Sequence, residues 1–265
     1  MSFPLTHNSR EALLPGQIHL WFAFPEEIRT PALLAEYHKL MNGEEQAQLQ
    51  RFHFEKHRHQ YLITRALVRT TLSRYATLPP QEWRFSKNEY GRPEILPSAK
   101  FPPLRFNLSH ADGLISCGVV LAQDIGVDVE LTTRIDNLRE LAEHSFSPNE
   151  VHDFSQLPLE DQRDRFFEYW TLKESYIKAR GMGLSLPLTQ FSFHLSADRP
   201  IGISFDPRLK DHPHDWHFWL LQPTSTHKAT VAIRRNPHLD HSLIIRKVVP
   251  LMEAYPFDCK ILKES

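Results

Sequence analysis

In IGVDVE, residues 125 to 130, the apolar Ile125, Val127 and Val129 alternate with Gly126, Asp128 and Glu130. Alternation is the period of a β-strand, so Asp128 and Glu130 leave the backbone on one face, roughly 6.5 to 7 Å apart at Cα, and both carboxylates can reach one ion or the waters on it. In FFEYWTLKESYIKARG, residues 166 to 181, Phe166, Phe167, Trp170 and Ile177 recur at helical spacing, and Glu174 falls on their stripe with Lys178 one turn beyond. A carboxylate on a core-facing stripe must be neutralised by a partner, a metal or a raised pKa, because desolvating it alone costs several kcal/mol. Lys178 at i+4 would make an ordinary helix pair, which accounts for the spacing but not for the apolar neighbours. If Glu174 joins Asp128 and Glu130, three hard oxygen donors converge, a set that suits Mg²⁺ better than zinc. Such an ion beside Lys178 would neutralise a phosphate that is losing a leaving group.

These residues need a strand and a distant helix to bring them together. The strand is IGVDVELTT (125 to 133), and the helix runs from Leu159 to Arg180, closed by Gly181-Met182-Gly183. Upstream, QIHLWFAF (17 to 24) reads as a strand, TPALLAEYHKLMNG as a helix, and the segment from Gly43 to Leu78 as one long helical periodicity ended by Pro79-Pro80. EWRFS (82 to 86) reads as a strand, NEYGRP as a turn, and LRFNLSH and LISCGVVLA as strands around the turn ADG. Downstream, LRELAEHSF is a short helix stopped by Ser147-Pro148, and FSFHLS, IGISF, WHFWLLQP and KATVAIRR are strands, whereas SLIIRKVVPLMEAY has no clear period. Both halves mix helices with short strands, which gives an α+β chain divided into residues 1–123 and 124–265.

The 265 residues, 41% hydrophobic and 24% charged, suffice for one large domain or two modest ones. With 31 Lys+Arg against 32 Asp+Glu, no global field recruits nucleic acid or an anionic membrane, and any anion site must be local. The two cysteines, Cys117 and Cys259, cannot form a disulfide framework, and neither a signal-like N-terminus nor an apolar run of about 18 residues is present. A soluble cytoplasmic protein is expected. The clusters HRH (57 to 59) and HPHDWH (212 to 217) lack the framework of a zinc site and read as exposed histidines.

FNLSH (106 to 110), IGVDVE (125 to 130) and WTLKESYIKARGMGLSLPL (170 to 188), in that order and separation, resemble the 4′-phosphopantetheinyl transferases, specifically the two-domain type that activates surfactin synthetase. RFSKNEYGRP (84 to 93) resembles the segment just ahead of FNxSH in that family, and the likeness runs from about Arg51 to Phe193. The resemblance implies two similar α/β-mixed halves in a pseudo-two-fold arrangement, with the active site and coenzyme A between them. It implies transfer of the phosphopantetheine arm of coenzyme A to a serine of an apo acyl or peptidyl carrier protein in fatty-acid, polyketide or nonribosomal-peptide synthesis, releasing adenosine 3′,5′-bisphosphate. The two-domain type is usually monomeric.

By the same resemblance, Asp128, Glu130 and Glu174 would hold Mg²⁺ against the pyrophosphate, with Glu150 near the metal waters, and Lys178 would contact the phosphate and assist departure of the nucleotide. Either Glu174 or a metal-ordered water would take the serine proton. Asn107, Ser109 and His110, with Lys87 and Arg92 beside the turn NEYG, would bind the nucleotide. Arg51 and Arg58 would approach the 3′-phosphate; Gln48 stands where the family often has Lys or Arg, and Arg51 would substitute for it. Exposed basic residues on the first half would help dock an acidic carrier. Two other readings use the same residues: a metal-dependent phosphodiesterase with a water nucleophile, and a non-catalytic module that binds coenzyme A or a carrier.

Overall fold

In the computed structural model, which describes residues 11–132 and 137–265, the alternation in QIHLWFA forms β1 (Gln17–Ala23). Three helices follow: α1 (Pro31–Leu40), α2 (Gly43–Gln50) and α3 (Glu55–Ser73). Short β2 (Phe85–Lys87) and β3 (Pro93–Ile95) precede β4 (Leu104–Ala111), β5 (Leu114–Leu121) and β6 (Ile125–Leu131). Next come α4 (Leu138–Ser145), α5 (Pro148–Gln156) and α6 (Leu159–Arg180). The chain ends in strands: β7 (Phe191–His194), β8 (Gly202–Phe205), β9 (Trp216–Thr224), β10 (His227–Arg234), β11 (Ser242–Val248), β12 (Ala254–Pro256) and β13 (Lys260–Glu264). The fold class is α+β. The N-terminal residues 1–10 and Thr133, which the sequence assigns to the β6 strand, lie outside the described residues.

The chain forms two compact units. The first comprises the chain up to Ser86, Pro93–Ala122 and His241–Phe257; the second comprises Lys87–Arg92, Gln123–Asp240 and Asp258–Ser265. Two exchanges thus depart from a simple division at 123/124: the 241–257 segment joins the first unit, and the NEYGR turn joins the second.

In the first unit, the sheet order is β12-β11-β1-β5-β4, and the segment without a clear period supplies β11, which pairs parallel to β1 from Gln17↔Ser242 to Phe22↔Lys247. Trp21 and Ala23 of β1 and Leu62, Ile63, Ala66 and Leu67 of α3 share one core. The long helix expected from Gly43 onward is two helices. Asn42 and Glu45 form a capping box that starts α2, and the chain turns at 51–54 before α3 begins. Arg58 Nη1 donates to the carbonyls of Phe52 (2.7 Å) and His53 (3.1 Å), which satisfies backbone groups freed by the break. The strand expected at 82–86 begins later, at Phe85, while Trp83 is fully buried in the core.

In the second unit, the sheet order is β13-β9-β10-β6, with β7 and β8 forming a separate hairpin. The core gathers Phe146, Phe154, Phe166, Phe167, Leu172 and Tyr176 around α6 and β9. Helix α5, which the sequence reading passed over, starts with a second capping box: Ser147 accepts from Glu150 N, Glu150 accepts from Ser147 N, and Pro148 occupies the first helical position. Helix α6 carries Glu160 and Asp161 in its first turn and Lys178 and Arg180 in its last, the order its dipole favours, and stops at Gly181 with φ 66°.

Candidate active site

The site is built where α6 lies on the β6–β10 pair. Antiparallel register sets Gly126 opposite Ala232, Asp128 opposite Thr230 and Glu130 opposite Lys228, each pair sharing a face. That face meets α6. A Cβ added to Gly126 would stand 1.9 Å from Ser175 O and 2.4 Å from Ala179 N, both backbone atoms of the helix. Glycine at 126 is therefore what lets α6 approach close enough for its side chains to meet those of the strand. Replacing Gly126 with Ala must push the helix back, an overpacking cost of about 1 to 3 kcal/mol, read as a lower urea midpoint. Wild-type stability in Gly126→Ala would show that the helix does not need this approach.

From Phe166 to Ala179, α6 is buried on most of its circumference, and Trp170, Glu174 and Lys178 form a half-buried lane at successive i+4 positions. Glu174 is thus not on the buried stripe that the apolar spacing suggested. It lies on the lane turned toward β6. Lys178 Nζ sits 2.6 Å from Asp128 Oδ1, and Asp128 is 3% exposed. Trp170 Nε1 donates to Glu130 Oε1 at 3.1 Å.

The electrostatics tie the three carboxylates together. The Glu130 carboxyl is raised to about 7, by burial first, then by the charge of Asp128 and less by Glu174, against the opposing Trp170 hydrogen bond and Lys178. Glu174 is raised by burial and then by Asp128, with Lys178 opposing. A strand and a helix far apart in sequence therefore bring together Asp128, Glu130, Glu174 and Lys178. Among the described residues, no three His, Cys, Asp or Glu side chains stand as a group able to hold a metal ion. In this arrangement, Asp128 and Glu130 each bond a donor from α6. The donor set itself suits a divalent cation: hard oxygens whose mutual repulsion such a charge would relieve.

Other predicted residues have different surroundings. Glu150 is fully buried and engaged within α5 and its neighbours: its Oε2 meets Lys173 Nζ at 2.7 Å and Ser147 N at 2.8 Å, and its Oε1 accepts from Phe193 N at 2.8 Å. Glu150, expected beside metal waters, forms a buried ion pair with Lys173, the residue just before Glu174 on α6. Arg92 donates to the α6 carbonyls of Lys178 (3.4 Å) and Ala179 (2.8 Å), and Asn88 Nδ2 donates to Gly181 O (2.7 Å), so the NEYGR turn clasps the helix end. Arg92 therefore secures the backbone that carries Lys178. Lys87 on this segment is exposed.

In the first unit, Asn107 and Ser109 share one face of β4 and are buried, while His110 points the other way and is exposed. Arg51 is exposed, with Nη1 3.5 Å from Gln48 Oε1, the residue whose place it was expected to take. Residues missed by sequence reasoning are Lys173, Trp170 as a hydrogen-bond donor, and the partners Thr230 and Lys228 across the strand. The Ser147-Pro-x-Glu150 capping pattern was the available signal for α5 and hence for the Lys173 pair.

No helix among the described residues is long and apolar enough to cross a membrane. Residues 124–233 match the 4′-phosphopantetheinyl transferase superfamily, and residues 30–123 match the family described as 4′-phosphopantetheinyl transferase, N-terminal. The 4′-phosphopantetheinyl transferase HetI of Nostoc sp. is 30% identical over 221 residues, 83% of this chain and 89% of that protein. The 4′-phosphopantetheinyl transferase Sfp of Bacillus subtilis is 36% identical over 163 residues, 62% of this chain and 70% of that protein. A phosphopantetheinyl transferase of Thraustochytrium sp. is 29% identical, covering 74% of this chain and 71% of that protein. Among solved structures, the Thermotoga maritima holo-[acyl-carrier-protein] synthase aligns with a TM-score of 0.34 and 19% identity, over 43% of this chain and 63% of that one. With relatives matched over most of their length and the GVDVE strand set against the WTLKES helix, the chain belongs to the 4′-phosphopantetheinyl transferase family.

Proposed function

We propose that this chain transfers the 4′-phosphopantetheine arm of coenzyme A to a serine hydroxyl of an apo carrier protein. The observation that carries this reading is the lane on α6: Lys178 on Asp128, Trp170 on Glu130, and Glu174 between them. The serine oxygen forms a bond to the β-phosphorus as the bond to the departing nucleotide breaks, yielding phosphopantetheinyl-serine and adenosine 3′,5′-bisphosphate. Glu174, whose pKa is raised by burial and by Asp128, is suited to take the serine proton. Lys178 supplies a positive charge beside the phosphate oxygens as the leaving group departs. Asp128, Glu130 and Glu174 would hold Mg²⁺, which when bound screens the negative charge of the pyrophosphate.

We assign the nucleotide to Asn107, Ser109 and His110 of β4 and to exposed Arg51, and carrier docking to the first half, residues 1–123; the second, 124–265, carries the catalytic groups. The enzyme would act as a cytoplasmic monomer. The test is to mix the chain with Mg²⁺, coenzyme A and an apo carrier protein and read the carrier by intact mass. A phosphopantetheine adduct is the expected result. Hydrolysis of coenzyme A with unmodified carrier would instead assign a phosphodiesterase, and unchanged reactants a binding module; either overturns the proposal.

A further inference from the structure

Two donors from α6 address the two strand carboxylates. Lys178 brings a charge to Asp128, whereas Trp170 brings a neutral indole N–H to Glu130. The difference matters chemically. An ammonium cancels the charge it binds, while an indole N–H orients a carboxylate, leaves its negative charge intact and, being a donor only, does not compete for a cation. The donor is itself held in place: the Trp170 ring stacks on Phe166 at 6.1 Å between centroids and 8° between planes, and Phe166 is buried in the core of the second unit. One hydrogen bond to Oε1 still leaves Glu130 most of its roughly four lone-pair positions.

We infer that Trp170 is a positioning residue for Glu130, its indole N–H fixing the carboxylate beside Asp128 and Glu174 so that it is presented to a divalent cation. The inference rests on the transferase reading above. Its test uses the full chain and Mn²⁺ as the probe, with affinity read from water-proton relaxation. Trp170→Phe keeps an aromatic ring against Phe166 and removes the donor. It should weaken Mn²⁺ binding about 10- to 100-fold, the usual effect of losing a group that orients a metal ligand. In a Glu130→Gln background the same change should cause little further loss. Intrinsic fluorescence gives a second readout that needs no comparison of stabilities: Mg²⁺ should alter the tryptophan emission of the wild-type chain and not that of Trp170→Phe.

Unchanged Mn²⁺ affinity in Trp170→Phe, or an equal loss with and without Glu130, overturns the inference. If the wild-type chain modifies the carrier while either of these holds, the transferase reading survives alone. If the wild-type chain takes up no Mn²⁺, the inference falls together with the metal assignment, and a carrier left unmodified then refutes the transferase reading as well.

Discussion

Glu174→Gln loses carrier modification by about a thousandfold or more, about 4 kcal/mol of transition-state stabilisation, while its melting temperature equals or exceeds that of the wild-type chain. The two halves of this expectation have one cause. Burial and the charge of Asp128 raise the Glu174 pKa, so the folded state works against that ionised group. A neutral amide of the same shape relieves the repulsion among Asp128, Glu130 and Glu174, and on the proposed mechanism it removes both the proton acceptor and an anionic ligand from the reaction. Asp128→Asn should lose transfer to a similar degree but with reduced stability, because Asp128 is buried on the ammonium of Lys178 and the substitution removes that pair. Initial rates by intact mass and thermal melts on the same samples separate the two signatures. Near-wild-type turnover in Glu174→Gln would remove the carboxylate cluster from the mechanism.

The cluster was legible because each half of it obeys a local period. Asp128 and Glu130 alternate with valines, and Glu174 and Lys178 stand one helical turn apart, so a strand face and a helix lane follow from the sequence without knowledge of distant contacts. The orientation of α6 was less legible. Apolar residues cover most of its circumference between Phe166 and Ala179, so hydrophobic periodicity does not single out the wet lane, and Glu174 was read as facing the core. Arg58 and Arg92 look like phosphate ligands by type, yet their guanidinium groups reach backbone carbonyls exposed by a helix break and a helix end. A local reading could not see those carbonyls. The same limit hid β11, whose partner β1 lies near the other end of the chain and whose mixed SLIIRKV pattern carries no clean alternation. By contrast, Gly126 could be read only as one member of an alternating strand, although its lack of a side chain sets the distance on which the cluster depends.

Glu150→Gln should lower stability by about 3 to 5 kcal/mol, because it leaves the Lys173 ammonium buried without its counter-charge. Both side chains are fully buried. Lys173 also donates to the carbonyls of Leu188 (2.8 Å) and Phe191 (2.9 Å) and lies 4.2 Å from the Phe191 ring centroid, while Glu150 accepts from Phe193 N. Burial pulls the Lys173 pKa down and Glu150 is the charge that opposes it, so the pair ties α5, α6 and the start of β7 into one polar knot. Replacing both members, as Glu150→Leu with Lys173→Met, should recover much of the stability lost in the single change, since no uncompensated charge remains. This separates two roles for Glu150. A residue that serves metal waters would lose rate at constant stability when changed to Gln, whereas a structural partner loses stability first and recovers it in the double variant. Urea unfolding of the three proteins decides between them, and an unchanged midpoint in Glu150→Gln would return the residue to the reaction centre.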